Sequence, residues 1–170
     1  WADDTVVDVA APIDSDEEIS FDTDTPRRNA ASLTTLTDAD AIVAVAAADP
    51  LGIARFLHSY AELRALISPA AVTVVVNRTR SGPLGMDARG QVRQTLERFA
   101  GIQDVHFLPD DRRALDAALL HARPVADMAP RSPLLPAVRR VVKALPGTAA
   151  TPSADADPAL SRLRRAFRRR

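Results

Sequence analysis

Asp8 closes a short β-branched run, Thr5-Val6-Val7-Asp8-Val9. A carboxylate at the tip of an apolar strand can organise Mg²⁺ and its waters beside a phosphate being transferred. Asp8 is therefore the candidate for a catalytic and metal-ligating role, although ending a buried strand is work enough for an Asp. Asn77 directly follows Val72-Thr73-Val74-Val75-Val76. A side-chain amide both donates and accepts, which suits the edge of an adenine ring. An Asn at a strand end also satisfies turns, and both readings stay open on the residues alone.

Other chemistries are excluded by residue type or spacing. A phosphate-binding loop needs the form GxxxxGK[ST], but the single lysine, Lys143, sits between Val142 and Ala144 in a helical stretch. The histidines at 58, 106 and 121 lack ligand spacing, and with no cysteine no thiolate metal site can form. Asp14, Asp16, Glu17 and Glu18 lack the glycine and spacing of a Ca²⁺ loop and read as a solvated acidic loop. No GxSxG nucleophile motif occurs.

The elements that must position Asp8 and Asn77 follow from periodicity. Strands are expected over Thr5–Val9, Ala41–Ala47, Val72–Asn77 and Val105–Leu108, the last stopped by Pro109. Helices are expected from Arg27 to Leu36 after Pro26, from Asp49-Pro50 with a stripe at Ile53, Leu57, Tyr60 and Ile67, and over Asp87–Phe99, Asp110–His121 and Pro133–Leu145. Strands alternating with helices imply an α/β fold with a parallel sheet sandwiched by helices, and continuous apolar strands imply cover on both faces. Ligands of such sheets sit at the carboxyl ends of the strands. Here those ends are Asp8–Pro12, Ala47–Pro50, Asn77-Arg78 and Leu108–Asp111.

Taken in order, the series Val6-Val7-Asp8, Arg27-Arg28-Asn29-Ala30-Ala31, Asp49-Pro50, Val74-Val75-Val76-Asn77-Arg78, Phe107-Leu108-Pro109-Asp110-Asp111, Arg123-Pro124-Val125 and Ser132-Pro133-Leu134 resembles the second half of the MinD/ParA family of P-loop ATPases, especially its pilus-assembly and localisation branch. The resemblance covers roughly residues 5 to 145. It implies a P-loop NTPase-like sheet without its Walker A strand, with ATP and Mg²⁺ as cofactors of the complete protein. It would make Asp8 the Walker B acid, and Asn77 with Arg78, Pro109 and Asp110 the base side of the nucleotide site. It also implies an ATP-driven homodimer and a protein partner belonging to the positioned assembly, which would be division, partition or pilus and secretion machinery. The family's phosphate loop would lie upstream of Trp1, so the chain is expected to be a fragment that does not hydrolyse ATP by itself. Where the family often has a glycine four residues after the acid, this chain has Pro12, which has no N–H to offer a γ-phosphate. Rival readings are a non-catalytic scaffold on the same fold and an unrelated receiver-like α/β domain.

Residues 1–145 form the expected domain, 146–157 an Ala/Thr/Pro/Ser/Asp linker, and 158–170 a basic tail. The tail holds six arginines, and taking these from the 22 basic residues leaves 16 against 22 acidic ones, a net of −6 for positions 1–157. Leu160, Leu163 and Phe167 fall on one side of a helix, flanked by Arg164 and opposed by Arg165 and Arg168. This is the pattern of a helix lying on an anionic membrane surface, while phosphates of nucleic acid are a less favoured partner. With no cysteine and no apolar run of about 20 residues, a cytoplasmic protein is expected, peripheral on the inner face of the plasma membrane.

Overall fold

The computed structural model describes residues 4–9, 30–67, 71–80 and 87–146. Its architecture is α/β, built on a three-stranded parallel sheet flanked by helices. The first helix, α1, spans Ala30–Asp38, and β1 spans Ala41–Ala47. Helix α2 covers Pro50–Leu66 and β2 covers Ala71–Thr79. Helix α3 (Ala88–Ala100) leads to β3 (Val105–Pro109), followed by α4 (Arg112–Leu120), the short α5 (Val125–Met128) and α6 (Leu134–Ala144).

Local chemistry sets the boundaries. Asp49 caps α2 by accepting from the Gly52 N–H at 2.8 Å, and Pro50 occupies the first turn, where its missing N–H is harmless. A Cβ on Gly52 would stand 2.8 Å from the Ala47 carbonyl oxygen, so only glycine lets α2 turn this tightly off β1. Gly101 closes α3 in the left-handed region at φ 66°.

The strands lie in the order β1-β2-β3. Ala41 to Ala47 pair in unbroken register with Ala71 to Asn77. One face carries the main core, where Ala46, Val74 and Val76 meet Ile53 and Phe56 of α2 and Val92 and Leu96 of α3. Leu96 and Val76 have no solvent exposure, and burying such side chains stabilises by about 1.5–3 kcal/mol each. A second cluster of Leu36, Ile42, Leu63 and Ile67 ties α1 to the start of β1 and the end of α2. On the opposite face Val75 is buried, and α6 packs over β3 and β2.

Several expectations are corrected. Thr5–Val9 is not a strand: Val6 is 95% exposed, and Val9 alone packs against the Leu36–Ile42 cluster. A β-branched run forms a strand only against a neighbouring ladder, and among the described residues ladders join only β1 with β2 and β2 with β3. The sheet is not covered on both faces throughout, because α6 stops over β2 and leaves Val43 and Val45 of β1 42% and 59% exposed. Pro109 does not stop β3 short but is its last residue, paired with Thr79. Helix α4 starts at Arg112 rather than Asp110, since Asp111 is its cap, and α5 was not expected. Pro12, Arg27 to Asn29, nearly all of the linker, and the tail with Leu160, Leu163, Arg164, Arg165, Phe167 and Arg168 lie outside the described residues.

Candidate functional site

Asn77, Arg78, Pro109 and Asp110 come together at the carboxyl ends of β2 and β3. The Asp110 N–H donates to the Thr79 carbonyl at 3.1 Å, and on the other side the Ala48 N–H donates to the Asn77 carbonyl at 2.9 Å. These two bonds draw the rim of all three strands level.

The ladder is irregular at this point. Val76 pairs with Phe107 and Thr79 pairs with Pro109, so Asn77 and Arg78 stand opposite Leu108 alone. This β-bulge holds Arg78 at φ 59°, a left-handed conformation that strains a non-glycine residue by roughly 1–2 kcal/mol. The Asn77 side chain supports it, Oδ1 accepting from the Arg78 N–H at 2.7 Å. With Oδ1 so engaged, Nδ2 is the group left to donate to an acceptor such as a ring nitrogen. Bulges recur beside binding sites because they re-aim side chains. No residue type in the sequence announces this one, since arginine is not a left-handed former.

The acids of the rim are occupied structurally. The Asp110 side chain is only 9% exposed and is paired with Arg112 Nε at 3.2 Å. Asp111 caps α4, accepting from the Ala114 N–H at 3.2 Å, and its other oxygen accepts from the Ser132 hydroxyl at 2.6 Å. The Ser132 hydroxyl holds the Asp111 carboxyl below its usual value, helped by the Ala114 amide and Arg113 and opposed by desolvation. Sequence reasoning missed the Ser132 contact, because its partner lies 21 residues away.

Three helices begin at this rim, and each N-terminus is met by its own aspartate. Asp49 accepts from Gly52 N–H, Asp87 from Gly90 N–H and Asp111 from Ala114 N–H, at 2.8, 2.9 and 3.2 Å. A carboxylate at a helix start compensates the positive end of its dipole, so these termini do not offer phosphate cradles. Beside them, Arg89 and Arg93 of α3 stack over the Phe107 ring at 5.8 and 5.5 Å, which makes the β3 side of the rim basic and aromatic.

Asp8 is not part of this arrangement. It is exposed, outside any strand, next to Val9, which packs on the cluster at the other end of β1. Among the described residues no three His, Asp or Glu side chains form a group able to hold a metal ion. Lys143 is exposed in the last turn of α6. The rim residues stand together at the strand ends, whereas the described residues provide neither a phosphate cradle nor a ligand set for Mg²⁺. Among the described residues no helix is long and apolar enough to cross a membrane. Compared with known proteins, the chain matches no family model and no curated sequence.

Proposed function

We propose that this chain is the C-terminal part of a MinD/ParA-like ATP-binding domain, belonging to a protein that positions a cellular assembly at the membrane. The observation that carries this reading is the placement of Asn77 and Pro109-Asp110 on adjoining strand ends, tied by the Asp110 to Thr79 bond. It is supported by the Asn77 amide, whose Nδ2 is free of the bond that Oδ1 makes to Arg78. On this reading Asn77 and the Pro109 turn read adenine, while Asp8, beside Val9 at the other end of β1, does not reach this rim, and the Mg²⁺-organising acid has to come from elsewhere in the protein. ATP then drives homodimerisation, the assembly's own protein is the partner, and the arginine-rich tail rests on the anionic inner face of the membrane.

A second reading is a scaffold on the same fold that recruits partners without turnover. It is favoured by the three helix starts already compensated by aspartates and by Pro12.

Calorimetric titration separates the two. The purified chain should bind adenosine and Mg-ATP equally weakly, near the millimolar range or about 4 kcal/mol, because only base contacts are available. Asn77→Ala should weaken adenosine further. Adenosine binding no better than that of guanosine would overturn the nucleotide reading, and micromolar Mg-ATP binding would overturn the absence of a phosphate cradle in this chain.

A further inference from the structure

Helix α3 carries two arginines whose positions the fold does not reward. Arg89 lies in the first turn, where the helix dipole favours an anion over a cation. Arg93 follows one turn later, and like charges at this spacing, with Cβ atoms about 5–6 Å apart, repel each other. Both residues are exposed, and among the described residues neither has an acidic partner. Asp87, the nearest acid along the chain, accepts from the Gly90 N–H instead. Both guanidinium groups converge on one ring, their central carbons 5.8 and 5.5 Å from the centre of Phe107 on β3. That ring packs against the main core. It holds the two forks at the flank of α3 and removes part of the side-chain freedom that binding would otherwise take away. The same helix supplies a comparison, since Arg98 stands over Phe99 at 5.3 Å with no second arginine on that ring among the described residues.

We propose that Arg89 and Arg93, held over Phe107, bind a phosphate monoester. Each guanidinium presents parallel N–H groups that bond two oxygens at once. A carboxylate has only two oxygens and is satisfied by one fork. A phosphodiester has two free oxygens and a single negative charge. A monoester has three free oxygens and close to two negative charges at neutral pH, so it can bridge both forks and cancel the repulsion between them. The donors are side-chain forks rather than helix-start amides, which the aspartates occupy. The site does not rest on the nucleotide reading.

Methyl phosphate, dimethyl phosphate and acetate test this chemistry on the purified chain, followed through the arginine Nε–Hε signals in nuclear magnetic resonance. Methyl phosphate should move the Arg89 and Arg93 signals and saturate in the millimolar range, about tenfold tighter than the other two, while Arg98 stays unmoved. Its affinity should fall several-fold between about pH 7.5 and pH 5, as the monoester takes up its second proton near pH 6. Arg93→Lys keeps the charge but removes the fork, and should weaken binding about tenfold with an unchanged circular dichroism spectrum. Arg98→Lys should leave binding as it is. Phosphoserine and adenosine monophosphate then distinguish the sources. A gain over methyl phosphate for phosphoserine alone supports the site as one for phosphorylated protein, and a gain for adenosine monophosphate alone supports it as one for a nucleotide. Dimethyl phosphate or acetate binding as tightly as methyl phosphate, an affinity that does not change with pH, or no loss in Arg93→Lys would overturn the proposal.

Discussion

The hydroxyl of Ser132 donates to Asp111 Oδ2 at 2.6 Å while its oxygen accepts from the Leu134 N–H at 3.2 Å. One buried side chain thereby joins the cap of α4 to the start of α6, the helix that covers β3. Ser132→Ala should lower the melting temperature by several degrees at pH 7 without changing the fold. The Asp111 carboxyl is held below its usual value. In acid the unfolded chain therefore takes up this proton before the folded one does, and stability falls as pH drops below about 4. Ser132→Ala should shrink that acid-side loss, and thermal melts between pH 2.5 and 7 check it. Equal pH dependence in both proteins would show that the bond does not hold the carboxyl down.

Gly52 sits in the first turn of α2, where alanine would ordinarily be the better helix former by nearly 1 kcal/mol. Its added Cβ would meet Ala47 at 2.7 Å and the Ala47 carbonyl at 2.8 Å. Gly52→Ala should therefore destabilise, and urea titration should show a lower midpoint.

Arg78→Gly should do the opposite. Releasing the left-handed strain at φ 59° gains roughly 1–2 kcal/mol, partly offset by the greater freedom of glycine in the unfolded chain. A small net rise in stability with the spectrum of the sheet unchanged is expected. A loss would mean that the Arg78 side chain makes the larger contribution.

Leu96 has no solvent exposure and stands between α3 and the sheet. Leu96→Ala should lower unfolding free energy by about 2–5 kcal/mol, the largest effect of the substitutions considered, as read by urea denaturation.

The tail prediction concerns binding. Three large apolar side chains contribute about 5 kcal/mol on burial before the helix is ordered, and each arginine near an anionic leaflet adds about 1 kcal/mol. The chain should co-sediment with anionic but not neutral liposomes, and lose this when truncated at Pro158. Equal recovery in all cases would remove the membrane from the proposal.

Much of the fold was readable because its signals are local. Asp49-Pro50, Asp87 and Asp111 mark three helix starts within a residue or two, and the Val74–Val76 run marks the central strand. What escaped depends on partners distant in the chain. Thr5–Val9 has strand composition but no ladder, and Val43 and Val45 have core composition but no helix above them. Asn77, Arg78, Pro109 and Asp110 were legible as carboxyl ends of strands, which is where the structure places them, while their role as a base site is implied by the resemblance alone. The Ser132 contact and the unpaired residue in the ladder left no trace in residue types.

That extra residue gives length a role which side-chain chemistry does not have here. Between Val76 and Thr79 the chain spends two residues where β3 spends one. Deleting Arg78 would restore an even count and move Thr79 one step back along its ladder with β3. An insertion at the same point would displace it the other way. Homologous chains that differ in length at this point would consequently present a different residue to the rim, even with Asn77, Pro109 and Asp110 all retained.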